Sequence, residues 1–249
     1  MWFFFRNLFY HCAMGTFARC QLDCLNCQTI ALSVFGTLKR DELSDLNKHK
    51  MSLEVKKGSV IFYENNLPSG FYCVHKGKVK VYKTADNGDI QITRLAKDGN
   101  IIGYRSMLAN EPYKGTAETI EDSIICFIPR HAILELIGKN LDFSLKIMES
   151  FAEELDLAQK RSLDILYKSS KERLAEALIL LSESFGVDAR GFIQIKLTRA
   201  ELAAITGMVH ETVVRTLTEW EKDGLLELDK KLIRIADRRK LLKLTQLED

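Results

Sequence analysis

At Pro129 the hydrophobic period of this 249-residue chain changes from two to helical, which excludes an all-α or an all-β body. From about Leu43 to Pro129 the apolar residues come in short alternating runs punctuated by single glycines. The runs are Leu53 to Val55, Val60 to Tyr63, Gly70 to Val74, Val79 to Tyr82, Ile90 to Ile92 with Leu95, and Ile124 to Ile128. Asn87-Gly88 sits between two of them and predicts a hairpin, because both turn positions favour residues that accept positive φ. Such spacing predicts a compact roll or barrel of antiparallel strands.

Beyond Pro129 the positions Leu141, Leu145, Met148, Ala152, Leu155, Gln159, Ser162 and Leu166 alternate steps of four and three, the spacing of a coiled-coil seam. A parallel homodimer helix is one reading, and a long amphipathic helix packed on its own domain is the other. Lys168-Ser169-Ser170 then makes a polar joint with a helix cap, and Lys171 to Phe185 predicts a further amphipathic helix closed by Gly186.

The last third of the chain carries the sharpest local pattern. Thr198 and Glu201 form a capping box for a short helix that ends in Gly207, and a second helix follows from Val209 to Glu221. In that second helix Val213, Leu217 and Trp220 recur at helical spacing, so Glu211, Thr212 and Arg215 point outward near its start. This is the layout of a helix that enters a DNA major groove. Leu225 to Leu228 and Leu232 to Ile235 flank a turn at Asp229-Lys230-Lys231, a hairpin whose basic tip suits phosphate. Residues 170–249 hold 14 basic and 14 acidic side chains, so DNA contact there is local and not a field effect.

Composition supports two domains of ordinary globular type: 46% hydrophobic and 28% charged residues, with a net charge of +2. No apolar run reaches the ~20 residues of a membrane span. The opening Met1-Trp2-Phe3-Phe4-Phe5-Arg6 lacks the basic lead and long apolar stretch of a signal peptide, and Met14 is an alternative start. Four of the 6 Cys fall within the first 27 residues, which points to a reducing cytoplasm and to metal or thiol chemistry and not to a disulfide scaffold. An enzyme is the rival class, but the chain has no Gly-rich phosphate-cradling loop and no His-Glu-x-x-His, and its 5 His are scattered.

From about Leu38 onward the chain resembles the Crp/Fnr family of bacterial transcription regulators. The resemblance rests on the glycines Gly58, Gly77, Gly88, Gly99 and Gly103, on Lys171-Glu172-Arg173-Leu174-Ala175, and on His210-Glu211-Thr212-Val213-Val214-Arg215. It implies an α+β fold: a cyclic-nucleotide-binding-type β-roll over 38–132, a dimerisation helix over 133–168 seamed by Leu141, Leu145, Met148, Ala152 and Leu155, and a winged helix-turn-helix over 169–249, after a Cys-containing segment 1–37. It also implies a cytoplasmic homodimer on a near-palindromic double-stranded DNA site, with RNA polymerase as a further partner. Glu211 and Arg215 match the family's base-reading Glu and Arg, a pair able to accept from cytosine N4 and donate to guanine O6 and N7. Thr198, Arg199, His210, Thr212, Lys230 and Lys231 complete the candidate DNA contacts.

The resemblance leaves the signal open. The cyclic-nucleotide branch holds its phosphate with an Arg-Ser pair and its ribose with a Gly-Glu pair. Here the stretch reads Gly103-Tyr104-Arg105-Ser106 through Pro112-Tyr113-Lys114-Gly115-Thr116-Ala117, without either pair in place, which argues against cyclic AMP. In the Fnr branch three N-terminal cysteines and one central cysteine hold an iron–sulfur cluster. Cys24, Cys27 and Cys126 match three of those positions, and Ser33 stands at the fourth. Cys20 restores the count, so Cys20, Cys24, Cys27 and Cys126 are the candidate ligands for a [4Fe–4S] cluster or zinc. A Cys24 to Cys27 thiol switch and the absence of any cysteine-based sensing are the alternatives, with Cys73 and Cys12 as bystanders.

Overall fold

A computed structural model describes residues 18–245, so Cys12, Met14 and the opening hexapeptide lie outside the described residues. The chain begins with β1 (Ala18–Cys20), three single 3-10 turns at Cys24–Asn26, Ile30–Leu32 and Val34–Thr37, and α1 (Arg40–His49). The roll follows as β2 (Met51–Val55), β3 (Val60–Phe62), β4 (Gly70–Lys76), β5 (Val79–Thr84), β6 (Ile90–Ala96), β7 (Ile101–Ile102), α2 (Tyr104–Ala109), β8 (Thr116–Thr119) and β9 (Ser123–Pro129). Next come α3 (Arg130–Lys139), α4 (Leu141–Tyr167), α5 (Ser170–Phe185), α6 (Arg199–Thr206), α7 (His210–Lys222), β10 (Leu226–Asp229), β11 (Leu232–Ile235) and α8 (Arg238–Lys243). Among the described residues no helix is long and apolar enough to cross a membrane.

Two compact units result. One holds the described residues up to Lys83 together with Arg94–Phe151, and the other holds Thr84–Thr93 and the described residues from Ala152. The strands form sheets of order β1-β2-β9-β4-β7 and β3-β8-β5-β6. The larger sheet is packed on both faces, and its period-two alternation sorts the side chains. Leu53, Val55, Tyr72, Val74 and Ile125 point into the roll, where the Phe62 and Tyr113 rings stack at 3.9 Å. Phe71, Cys73, Cys126 and Ile128 point the other way, onto Cys24, Val34 and Phe35 of the N-terminal segment. That segment therefore shares a core with the roll.

The helical stretch from 130 to 167 is two helices and not one. Asn140 is extended at φ −125° and its side-chain Oδ1 accepts from the Phe143 N–H at 2.9 Å, capping α4, while its Nδ2 donates to Glu42 at 2.9 Å. The seam spacing starts at Leu141, which is where α4 starts, whereas the span 133–168 expected for the dimerisation helix includes most of α3. β1, α1, β7, α2, β8, α3 and α8 are elements that the sequence runs do not mark: the strands among them are two to four residues long, too short to show a period, and α1 occupies the stretch from Leu43 where the β-type pattern is expected to begin.

In the second unit α5 begins at the Ser169 cap, where Ser169 and Glu172 form a reciprocal capping box. Leu174, Leu178, Leu202, Val213, Leu217, Trp220, Leu226, Ile233 and Leu241 are all buried there, so three helices, the hairpin and α8 contribute to the burial. Arg173 fixes the end of α6, since its Nε donates to the Thr206 carbonyl at 3.0 Å and its Nη1 to the Lys168 carbonyl at 2.8 Å. At the polar joint the buried Glu176 carboxylate pairs with Lys160 at 2.8 Å and with Lys168, which also holds Asp164 at 2.7 Å.

Candidate functional site

Two sites stand out, and the first is the exposed face of α7. Val213, Thr216, Leu217 and Trp220 repeat at i, i+3, i+4 and i+7 and are buried. That phase leaves His210, Glu211, Val214 and Arg215 exposed, with Thr212 half-buried. Glu211 and Arg215 lie one turn apart on the same face, and neither is held in an ion pair among the described residues. Gly207, at φ +64°, adopts the left-handed conformation that lets α6 stop and the chain turn into α7. Thr198 is used as the α6 cap: its Oγ1 accepts from the Glu201 N–H at 3.1 Å and donates to the Glu201 carboxylate at 2.9 Å. Arg199 is half-buried, and one of its guanidinium nitrogens, Nη1, has no hydrogen-bond partner among the described residues. Lys230 and Lys231 are exposed at the tip of the β10–β11 hairpin, where Lys230 takes φ +54° to close the turn.

Along α4, Leu141, Leu145, Met148 and Leu155 are all exposed, as is Ala152, while Phe143, Ser144 and Ile147 are buried. Met148, for example, is 63% exposed. An apolar stripe with the 3.5-residue period therefore runs along a helix of about 40 Å, with its residues open on a single chain.

The second site is a small pocket under the N-terminal segment. Cys24, Cys27, Cys73 and Cys126 line it together with Ser33, Phe35, Lys50 and His75. Cys20 is not among the lining residues. The reason lies in the register of the sheet. Cys20 pairs with Ser52, Ser52 with Cys126, and Cys126 with Cys73, so the four stand in one row across β1, β2, β9 and β4. Neighbouring strands are about 4.8 Å apart, which puts Cys73 one strand from Cys126 and Cys20 two strands away. Cys73, set aside in the sequence as a bystander, is thus in the pocket. Lys50, His75 and Phe35 were likewise unmarked, although the alternation of Phe71, Cys73 and His75 along β4 was a usable signal that they share a face.

The thiols differ in surroundings. Burial pushes the Cys24 thiol up to about 12, opposed by Lys50, and burial raises Cys73 and Cys126 as well. Cys27 Sγ lies 3.3 Å from His75 Nδ1 and 3.4 Å from Thr29 Oγ1, and Cys126 Sγ lies 3.4 Å from Ser52 Oγ. Burial also lowers His75 below its ordinary value. Lys50 Nζ donates to the Leu22 carbonyl at 2.5 Å and to Ser52 Oγ at 2.9 Å, holding a positive charge beside the thiols. Ser33 does line the pocket, but its hydroxyl donates to the Ile30 carbonyl at 2.7 Å and accepts from the Phe35 N–H at 3.2 Å. Among the described residues no three side chains of His, Cys, Asp or Glu converge on a single ion. The donor set suits a thiolate-bound cluster in number and kind, with four thiols around a pocket and a cation beside them.

Comparison with known proteins follows the same division of the chain. Residues 52–140 match the model of the cyclic nucleotide-binding domain, and residues 172–244 that of the Crp-like helix-turn-helix domain. Regulatory protein HlyX of Actinobacillus pleuropneumoniae is 30% identical over 221 residues, 87% of this chain and 91% of that one. Electron transport regulator A of Shewanella oneidensis is 29% identical, over 89% and 90% of the two chains. The fumarate and nitrate reduction regulatory protein of Vibrio cholerae is 27% identical, over 90% and 91%. Among solved structures, FixK2 of Bradyrhizobium japonicum superposes with a TM-score of 0.71 at 23% identity, covering 80% of this chain and 99% of that one, a likeness of fold.

Proposed function

The chain belongs to the Crp/Fnr family of transcription regulators, and from that premise we propose that it acts as a homodimer that reads a near-palindromic DNA site and answers to a redox, oxygen or nitric oxide signal at the thiol pocket. The observation that carries the DNA reading is the exposed pair Glu211 and Arg215 on α7, one turn apart and free of ion pairs among the described residues. Arg215 donates two hydrogen bonds to guanine O6 and N7, and Glu211 accepts from cytosine N4. His210 and Thr212 flank that pair, and Lys230 and Lys231 reach phosphate from the wing. Thr198 and Arg199, capped and half-buried, contribute through the position of α6.

Dimer formation follows from the α4 stripe. Leu141, Leu145, Met148, Ala152 and Leu155 form a seam that a second copy of the same helix covers, removing the exposed apolar surface from water. Two recognition helices then engage half-sites about one DNA turn apart, ~34–36 Å.

Signal and helix share a core. Phe35 lines the thiol pocket, and its ring lies 5.7 Å from Phe143 on α4 and 6.0 Å from Phe71 on β4. A change of state at the thiols moves Phe35, and with it the first turns of α4 that contribute to the dimer seam. An iron–sulfur cluster, when bound, supplies the oxygen- or nitric-oxide-sensitive chemistry, and Cys24, Cys27 and Cys126 are thiols to hold it. Cyclic AMP is disfavoured as the signal: Tyr104 is buried with its hydroxyl donating to the Ser150 carbonyl at 3.1 Å, and Lys114 is paired with Glu111 at 2.7 Å. The relatives named as an electron transport regulator and as a fumarate and nitrate reduction regulatory protein agree with a respiratory signal.

The test is DNA capture with the full chain purified without oxygen, in parallel with the same protein after air. Enrichment of discrete fragments that changes on exposure to air supports the whole reading. Enrichment unchanged by air removes the signal and leaves the regulator, and binding without preference in both states removes the proposal.

A further inference from the structure

The pocket has a thiol that the N-terminal cysteine pattern does not count. Cys73, from the middle of β4, lies directly opposite Cys126 of β9 in the antiparallel register, and both side chains leave the same face of the sheet. Cys24 and Cys27 approach that face from the turn at Cys24–Asn26, so four thiols from three separate segments line one small space. Cys20 is on the same row but beyond Ser52, two strands from Cys126 and about 10 Å away by strand spacing. Ser33, the remaining position of the pattern, faces the pocket with a hydroxyl already engaged by the Ile30 carbonyl and the Phe35 N–H.

We propose that Cys24, Cys27, Cys73 and Cys126 are the ligands of an iron–sulfur cluster, with Cys73 supplying the fourth thiolate that Ser33 does not, and with Cys20 outside the set. This deepens the reading of the pocket as the sensing site and rests on it. Four thiols line one pocket, which matches in number and kind the sulfur ligands that an iron–sulfur cluster takes. The surroundings fit an anionic group: Lys50 is held at the pocket by the Leu22 carbonyl and Ser52, and Thr29, His75 and Ser52 stand within hydrogen-bonding distance of Cys27 and Cys126. Such outer contacts orient sulfur ligands and tune a cluster. Each thiol gives its proton to solvent as its sulfur bonds iron, so binding is proton-linked.

The experiment uses the full chain produced and purified without oxygen, with iron, acid-labile sulfide and the visible absorption spectrum as readouts. The unaltered protein is expected to contain iron and sulfide with a visible band that bleaches in air. Cys73→Ala is expected to lower bound iron about tenfold or more, whereas Cys20→Ala leaves it near the unaltered level. Because Cys73 is inside the sheet, a double variant Cys73→Ala with Ser33→Cys separates ligand loss from misfolding: it is expected to recover the iron. The ligand assignment is overturned if Cys73→Ala keeps its iron, if Cys20→Ala loses it to the same extent, or if the double variant stays empty. If the unaltered protein lacks iron yet its DNA binding still responds to air and Cys24→Ala abolishes that response, the cluster is overturned while the sensing reading of the pocket stands. If neither iron nor an air response is found, both fall.

Discussion

On the recognition helix, Glu211 and Arg215 are neighbours because they are four residues apart, and the helix period alone puts them on one exposed face. In the thiol pocket, Cys24, Cys73 and Cys126 are neighbours although about fifty residues separate each from the next, and only the pairing of β4 with β9 and the packing of the N-terminal segment bring them together. One site is local, exposed and charged. The other is non-local and buried, with burial pushing the Cys24 thiol up to about 12 and Lys50 beside it. A local site survives damage elsewhere as long as its helix forms, whereas a non-local site depends on every strand that supports it.

The largest expected effect breaks the element that serves both sites, the α4 seam. Leu145 and Leu155 are exposed on the single chain, so Leu145→Glu with Leu155→Glu leaves each fold intact but puts two carboxylates into the dimer interface, at a cost of several kcal/mol each. Sedimentation at micromolar concentration is expected to find a monomer, with dichroism unchanged. A dimer as tight as before removes the seam.

Next in size is the support of the recognition helix. Trp220 is 3% exposed, and Trp220→Ala is expected to lower the unfolding free energy by about 3–5 kcal/mol in denaturant titration. The pocket's cysteine reactivity in the native state is expected to change little, which tests whether the two sites are independent. A smaller, specific loss comes from Arg215→Ala, about 1–3 kcal/mol per half-site in fluorescence anisotropy at fixed salt. Stability and thiol reactivity are expected to stay as they were, and an equal loss on all DNA sequences contradicts base reading.

The smallest effects follow pH and have opposite sign at the polar joint and at the pocket. Burial pushes the Glu176 carboxyl up, but hydrogen bonds and charge from Lys160 and Lys168 more than reverse it, so its folded value lies below the ordinary carboxylate range. Its contribution is complete above the unfolded value near 4.5 and is lost as pH falls through the lower folded value. Thermal melts are expected to lose this acid dependence in Glu176→Gln. A thiol responds at the other end: burial pushes Cys24 up to about 12, so in metal-free protein its alkylation is expected to be slow at pH 8 and to speed up as pH climbs towards that value, as peptide mass spectrometry reads.

These contrasts also mark what was legible in the sequence. The Thr198 and Glu201 capping box, Gly207, the Val213, Leu217 and Trp220 repeat and the wing hairpin all depend on residues within a few positions of one another, and they appear where periodicity put them. The coiled-coil spacing from Leu141 was readable for the same reason, but the break at Asn140 was not, because it is made by a side chain that caps α4 and reaches Glu42 from 98 residues away. Cys73, set aside by the sequence, lines the pocket. Its alternation with Phe71 and His75 was visible, yet which face those residues shared, and with which strand, is a matter of register between β4 and β9. Cys20 restores the ligand count in the sequence, but in the sheet Ser52 stands between it and Cys126 in the same row.

Selection from a random DNA library by the dimer purified without oxygen, beside the same selection with Arg215→Ala, tests the central claim most directly. The expected result is a near-palindrome with half-site centres 10–10.5 base pairs apart or a multiple of that, enriched in one G·C pair per half that the variant no longer demands. Enrichment without dyad symmetry, or a motif that the variant selects just as strongly, contradicts sequence reading by the paired α7 helices.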